Sequence, residues 1–259
     1  MDFARHLRSD SERFREVMAS LRPDAPVSSC PGWDASELLW HLTEVQMFWG
    51  LIVEHGLSDP SLAEESKTAR AGSYQDLLAG FDSESSRLSR VLEGKADDVP
   101  AWTWSDDHTV GFIRRRQAHE ALIHRIDAEL AAGVTSEVDP ELAADGIDEL
   151  FTVFVGGIPD WAVFEPDGSR LQVDATDARL TWHLAFGRMK GTSPTSGTDY
   201  DLLGVEVGDD AVPPDTLIAG TAADLDLWLW GRGSIDPLIV TGDPELADRL
   251  RAMVAEDTQ

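Results

Sequence analysis

The pattern of hydrophobic and polar positions in the first half of the chain predicts four amphipathic helices. Apolar residues recur there at spacings of three and four, which places them on one face of a helix. In the first helix this stripe contains Phe3, Leu7, Phe14 and Val17. Segments that contain proline or glycine separate the helices. The four predicted helices cover residues 2–21, 35–55, 73–94 and 109–132.

The second half of the chain has a mixed pattern. Asp139-Pro140 signals a helix that runs through Phe154, and alternating residues on both sides of Asp177 predict a β-hairpin. The later segments predict a strand near 202–207, a helix near 221–230, a short edge strand at 239–240 and a last helix from 243. We therefore predict an α+β chain, with a four-helix bundle domain at 1–138 and a smaller α+β domain at 139–259.

The charge balance restricts the partners. Asp and Glu number 48 against 21 Lys and Arg, which gives a net charge of -27. Binding to nucleic acid without sequence preference depends on Lys and Arg contacts with phosphates, so the net charge argues against this class and against anionic membranes. No apolar run is long enough to span a bilayer, and the first residues are too polar for a secretory signal. We expect a cytoplasmic protein that acts on small molecules.

Cysteine usage restricts the chemistry further. Cys30 is the only cysteine, which excludes an internal disulfide and any metal site made of cysteines alone. A lone cysteine is more often a small buried hydrophobe than a nucleophile. Any thiol chemistry is therefore expected to use a thiol supplied from outside the chain.

Three residues in the bundle form a candidate metal site. His41 lies inside an apolar stripe, three residues after Leu38 and four before Val45. A lone histidine there is typical of a core histidine held by a hydrogen bond. Glu120 and His124 are four apart, on one face of the fourth helix. Their stripe alone is typical of a solvated face, but together with His41 it favours a divalent-metal site between facing helices.

Short motifs in both halves of the chain carry a resemblance to a known family. In the first half they are Ser29 to Trp33, Leu38 to Leu42, Trp104, Thr109 to Phe112 and His119 to Asp127. In the second half they are Ala222 to Leu225, Leu229 to Arg232 and Thr241 to Pro244. These motifs resemble the mycothiol-dependent maleylpyruvate isomerase family. The resemblance implies an N-terminal four-helix bundle of the DinB type and a C-terminal domain related to the sterol carrier protein fold.

The resemblance also implies a site and a reaction. It implies that His41, Glu120 and His124 bind a divalent ion, usually zinc, with an open position for water or thiolate. Three protein ligands with a vacant position are typical of catalytic zinc sites. The cofactor implied is mycothiol, a low-molecular-weight thiol that adds to a small electrophilic substrate. The product is either a cis–trans isomer, as for a maleylpyruvate isomerase, or a thiol adduct, as for an S-transferase.

Further residues are candidates for binding substrate and thiol. An anionic substrate needs a positive group, and an arginine has this role in the family. Three arginines are candidates: Arg70, Arg116 and Arg232. Three tryptophans are candidates for lining the pocket of the thiol: Trp33, Trp49 and Trp104. Surface ion pairs and core packing are the alternative interpretations of these residues. Glu44 and Asp127 are candidates for orienting a ligand histidine through its second ring nitrogen.

Two interpretations without catalysis stay open. The bundle can keep the metal ligands for stability alone, or the second domain can act as a small-molecule-binding module with an apolar pocket. A sterol-carrier-like fold does not by itself imply lipid transport, since one fold hosts many functions. A protein that takes up no divalent ion would favour an interpretation without catalysis, with the pocket of the second domain as the next site to test.

Overall fold

The computed structural model describes residues 1–208 and 211–257. The chain divides into two compact units, Met1–Glu137 and Val138–Gln259. The predicted α+β class is confirmed, because these units contain long helices and a five-stranded sheet. No helix within the described ranges has both the length and the apolar character needed to cross a membrane.

Helices make up the first unit. They are α1 (Phe3–Ser20), α2 (Ala35–His55), α3 (Pro60–Ser66), α4 (Tyr74–Glu93) and α5 (Val110–Ala132). Both α1 and α2 pack against α4 and against α5, so the four long helices close a bundle. The predicted bounds of these four helices differ from the observed ones by at most one residue at either end. The short α3 lies where the sequence analysis expected a loop.

Local capping sets the ends of α2 and α5. Asp34 and Glu37 form a capping box, in which each backbone N–H donates to the side-chain carboxylate of the other at 2.9 Å. Thr109 caps the first turn of α5 with its hydroxyl oxygen. Gly56 and Gly133 end the two helices with φ of +61° and +67°, a conformation that residues with a Cβ rarely adopt.

The predicted apolar stripes form the core of the bundle. Phe14 of α1 and Phe81 of α4 are fully buried, with ring centroids 5.0 Å apart. Leu38 and Leu42 of α2 join the same cluster. Full burial of one such side chain contributes about 1.5–3 kcal/mol, so this packing holds the helices in place. The helix positions that carry His41, Glu120 and His124 are therefore set by an apolar core.

The second unit combines helices with one mixed sheet. Its helices are α6 (Pro140–Glu149), which continues into a π-helical turn at Leu150–Phe154, α7 (Ala222–Leu229) and α8 (Pro244–Asp257). Its strands are β1 (Ala162–Ala175), β2 (Leu180–Thr192), β3 (Asp199–Gly208), β4 (Thr216–Gly220) and β5 (Ile239–Gly242). The strand order is β3-β2-β1-β4-β5, in which only the β1/β4 pair is parallel. The sheet packs against α8, which contacts β1, β4 and β5.

The predicted hairpin is confirmed, since β1 and β2 pair antiparallel with Ala175 opposite Leu180. The predicted edge strand at 239–240 corresponds to β5, which lies at one end of the sheet. β4 was not predicted. The helix predicted through Phe154 keeps regular α geometry only to Glu149, after which the backbone widens into the π-helical turn.

Candidate metal centre

The bundle brings His41, Glu120 and His124 together. Oε1 of Glu120 lies 3.1 Å from Nε2 of His124 and 3.5 Å from Nε2 of His41. One potential ligand atom of each residue lies within 4.8 Å of the other two. His41 comes from α2 and the other two from α5, where their spacing places them one turn apart. The three side chains that the sequence analysis selected thus form one cluster.

The cluster is open on the side of α2. The His41 side chain is 34% exposed, whereas those of Glu120 and His124 are 20% and 10% exposed. The ring of Trp33 packs against the His41 ring with a centroid distance of 4.9 Å. A small molecule can therefore approach the cluster from the His41 side, with Trp33 beside it.

Carboxylates hold His124 at both ring nitrogens. Nδ1 of His124 lies 2.9 Å from Oδ2 of Asp127, which is fully buried. Burial by itself lowers the pKa of His124, but the hydrogen bonds with Asp127 and Glu120 outweigh it and raise the pKa to about 9. Burial by itself raises the pKa of Glu120, yet His124, His41 and Arg116 keep it well below the usual range. The cluster therefore attracts a positive charge, whether a proton or a metal ion.

The chemistry of these donors fits a divalent ion. Two imidazole nitrogens and one carboxylate oxygen are a ligand set that zinc takes in catalytic sites. The contact of His124 with Asp127 occupies Nδ1 and leaves Nε2 directed at Glu120. This arrangement, in which a carboxylate holds the distal nitrogen of a ligand histidine, is common at metal sites.

Arg116 lies at the cluster. Its Nη2 donates to Oε2 of Glu120 at 3.1 Å, and the residue is 4% exposed. Arg70 is exposed, in the segment between α3 and α4. Arg232 belongs to the second unit, where its Nη1 donates to the carbonyl oxygen of Trp230 at 2.6 Å.

The three candidate tryptophans have different surroundings. Trp33 contacts His41, as described above. Trp49 is 6% exposed and stacks on Trp102 with centroids 6.0 Å apart, so it belongs to an aromatic cluster. Trp104 is 47% exposed and makes an edge contact with the ring of Phe112. The ring of Trp33 is thus in contact with a residue of the cluster.

One contact of the site could not be predicted from local spacing. Sγ of Cys30 lies 3.5 Å from Oδ2 of Asp127, although 97 positions separate the two residues. Of the two residues predicted to orient a histidine, Asp127 contacts His124, whereas Glu44 accepts a hydrogen bond from Lys67 at 2.9 Å. The Arg116–Glu120 pair has the four-residue spacing of a helical ion pair, a signal that the sequence does contain.

Comparisons with known proteins agree with this architecture. Residues 4–129 match the mycothiol maleylpyruvate isomerase N-terminal domain, and residues 141–249 match the MDMPI C-terminal domain. Among curated proteins no match is found.

Two solved structures share the fold. One is the mycothiol-dependent maleylpyruvate isomerase, with a TM-score of 0.54 and 15% identity. The other is a histidine-to-alanine variant of a mycothiol-dependent maleylpyruvate isomerase, with a TM-score of 0.60 and 12% identity. Each comparison covers 93% of this chain and 92% of the other. At such identities the structural likeness establishes the fold, while the two domain matches span most of the chain. The chain therefore belongs to the mycothiol-dependent maleylpyruvate isomerase family.

Proposed function

We propose that the protein is a metal-dependent enzyme that uses mycothiol as a thiol nucleophile toward a small electrophilic substrate. The reaction is a cis–trans isomerisation of the maleylpyruvate isomerase type or an S-transfer, which differ in whether the new carbon–sulfur bond is broken again. The observation that carries this proposal is the convergence of His41, Glu120 and His124 in a bundle of this family. The proposed ion is zinc.

The proposal assigns the ligand atoms to the three clustered side chains. His41 and His124 would bind the ion through Nε2, and Glu120 through Oε1, the oxygen that faces both histidines. When bound, a divalent ion lowers the pKa of a coordinating thiol, so that the thiolate exists near neutral pH. Asp127 keeps the proton of His124 on Nδ1, which leaves the lone pair of Nε2 for the ion.

The surrounding residues would orient the reactants. Arg116 holds the second oxygen of Glu120 and places a positive charge beside the cluster, which supports a role toward an anionic substrate. Trp33 offers a flat apolar surface beside His41, which supports a role in covering the thiol and excluding water. Arg70, Trp49 and Trp104 stay secondary candidates for these roles, because Arg70 is exposed in the segment between α3 and α4 and the two tryptophans contact other aromatic rings. Arg232, in the second unit, also stays a candidate for binding an anionic substrate.

Metal analysis of the purified protein tests the proposal. About one divalent ion per chain is expected in the wild type, and much less in His41→Ala, Glu120→Ala and His124→Ala. His55→Ala is the matched control, because His55 is an exposed histidine on the same helix as His41. The control should retain the ion. A wild-type protein that takes up no divalent ion after addition of zinc would contradict the proposal.

Product analysis then separates the two reactions. The metal-loaded protein is incubated with mycothiol and either maleylpyruvate or a thiol-reactive electrophile. Formation of the trans isomer, with mycothiol unchanged, supports the isomerase. Accumulation of a mycothiol conjugate supports the transferase. Neither product, in a protein that holds its metal, would favour the interpretation of a bundle stabilised by metal.

A further inference from the structure

One face of α5 carries a polar stripe made of Gln117, Glu120, His124 and Asp127. The proposed function gives no role to the first of these residues. Gln117 lies three residues before Glu120 and seven before His124. Residues at these spacings project from the same side of a helix, and neighbours three apart have Cβ atoms about 5–6 Å from each other. Glu120 and His124 are proposed ligands and Asp127 orients His124. Gln117 therefore lies beside the cluster, and no role has been assigned to it.

The amide of Gln117 is buried and unpaired. The residue is 1% exposed, and within residues 1–208 and 211–257 neither its amide nitrogen nor its amide oxygen has a hydrogen-bond partner. Burying an amide without partners lowers the stability of a protein. Gln46 of α2 is equally buried and its Oε1 is also unpaired, but its Nε2 donates to Oγ of Ser11 at 3.0 Å.

The adjacent carboxylate does not supply the missing partner. Oε1 of Glu120 faces the two histidines, and Oε2 accepts from Arg116. The amide of Gln117 thus keeps both its donor and its acceptor for a group from outside the chain. Turning toward the cluster costs this side chain no hydrogen bond, because it makes none in the free protein.

We infer that Gln117 hydrogen-bonds to the thiol bound at the candidate metal centre and selects thiols that carry an amide near the sulfur. A carboxamide donates through its N–H and accepts through its oxygen, so it complements a secondary amide in both directions. A plain alkyl chain satisfies neither atom. This inference rests on the proposed function, since it concerns the thiol that binds there.

Two neutral thiols of similar length test the selection: N-acetylcysteamine, which carries a secondary amide, and butanethiol, which does not. The protein is loaded with cobalt(II), so that sulfur binding produces a charge-transfer absorption band from which both dissociation constants are obtained. In Gln117→Met the ratio of the two constants should shift about tenfold toward butanethiol, the effect of one or two lost hydrogen bonds. Methionine keeps the volume and removes the amide.

Thermal unfolding adds a readout that does not depend on the metal. Gln117→Met should raise the Tm of the metal-free protein, because it removes a buried unpaired amide. Gln46→Met is the matched control and should give a lower Tm than Gln117→Met, because it also removes the hydrogen bond to Ser11. The control should leave the ratio of the two thiol constants unchanged. Gln117→Leu serves as a second apolar variant if Gln117→Met does not fold.

The outcomes separate the inference from the proposed function. An unchanged ratio in the apolar variants overturns the inference alone, because both thiols then still bind the metal-loaded protein. A wild-type protein that binds cobalt but neither thiol overturns the inference together with the proposed thiol chemistry. A shifted ratio combined with a raised Tm supports the inference, since a purely structural glutamine would change the Tm without changing the selection.

Discussion

Nδ1 of His124 and Oδ2 of Asp127 lie 2.9 Å apart on consecutive turns of α5. Asp127 is fully buried, so its carboxylate holds the imidazole in a fixed orientation away from solvent. A carboxylate accepts only, and this keeps the proton on Nδ1 and directs Nε2 to the cluster. Because the pair is three residues apart on one helix, the local sequence sets this orientation.

Asp127→Asn is expected to weaken zinc binding by about 10- to 100-fold, the usual effect of losing a carboxylate behind a ligand histidine. Competition with a chelator of known affinity measures the change. Glu44→Gln is the matched control, because Glu44 is an acidic residue of α2 that pairs with Lys67. The control should keep the wild-type affinity. Equal losses of zinc affinity in both variants would attribute the effect to the change in net charge and contradict the orienting role of Asp127.

Trp49→Ala is expected to lower the free energy of unfolding by about 3–5 kcal/mol, because truncation leaves a cavity in the aromatic cluster with Phe48 and Trp102. Trp33→Ala should lower the free energy of unfolding by a smaller amount, since Trp33 is only partly buried. It should instead weaken thiol binding through the loss of its contact with His41. Urea unfolding and thiol titration of both variants check these expectations. If thiol binding were impaired only in Trp49→Ala, the assignment of thiol binding to Trp33 and of core packing to Trp49 would be reversed.

The bundle and the ligand cluster were predictable because their signals are local. The apolar spacing and the Glu120/His124 spacing lie within single helices, and the cap residues Asp34 and Thr109 directly precede α2 and α5. A helix also fixes which residues share a face, so one inward histidine on α2 was enough to predict a cluster with α5.

Features that depend on distant partners were not predictable in this way. β4 has only five residues and follows Pro213-Pro214. It pairs in parallel with β1, where Leu171 lies opposite Thr216 although the two residues are far apart in the chain. Trp33 reaches His41 because its loop folds back, with the N–H of Val27 donating to the Trp33 carbonyl oxygen at 3.0 Å. Spacing alone does not distinguish such a tryptophan from one in the core.

Tyr74 gives the first unit a specific pH dependence. Its hydroxyl donates to the carbonyl oxygen of Met18 at 2.8 Å, and burial raises the pKa of Tyr74 to about 12 from an ordinary 10.0. As pH rises, the unfolded chain loses this proton before the folded one does. The stabilisation of the folded state by the protonated Tyr74 hydroxyl is therefore fully present below pH 10 and is lost as pH rises through 12.

Tyr74→Phe removes this dependence. The difference in unfolding free energy between wild type and Tyr74→Phe should stay flat below pH 10 and then fall, to the disadvantage of the wild type. Tyr74 and Tyr200 are the only tyrosines of the chain, so phenolate absorbance in Tyr200→Phe reports on Tyr74 alone. A titration midpoint near the ordinary value would contradict the prediction.

Cys30→Ser is expected to retain both the metal and the thiol-dependent turnover. Cys30 is the only cysteine, and its Sγ lies 3.5 Å from the carboxylate that orients His124, so its contact supports the site. The proposed nucleophile is the thiol of the cofactor, and a serine hydroxyl can donate to the same carboxylate. Cys30→Ala lacks this donor, so any loss of metal affinity should be larger in Cys30→Ala than in Cys30→Ser. Loss of turnover in Cys30→Ser with metal and fold intact would instead assign the reactive thiol to the chain itself.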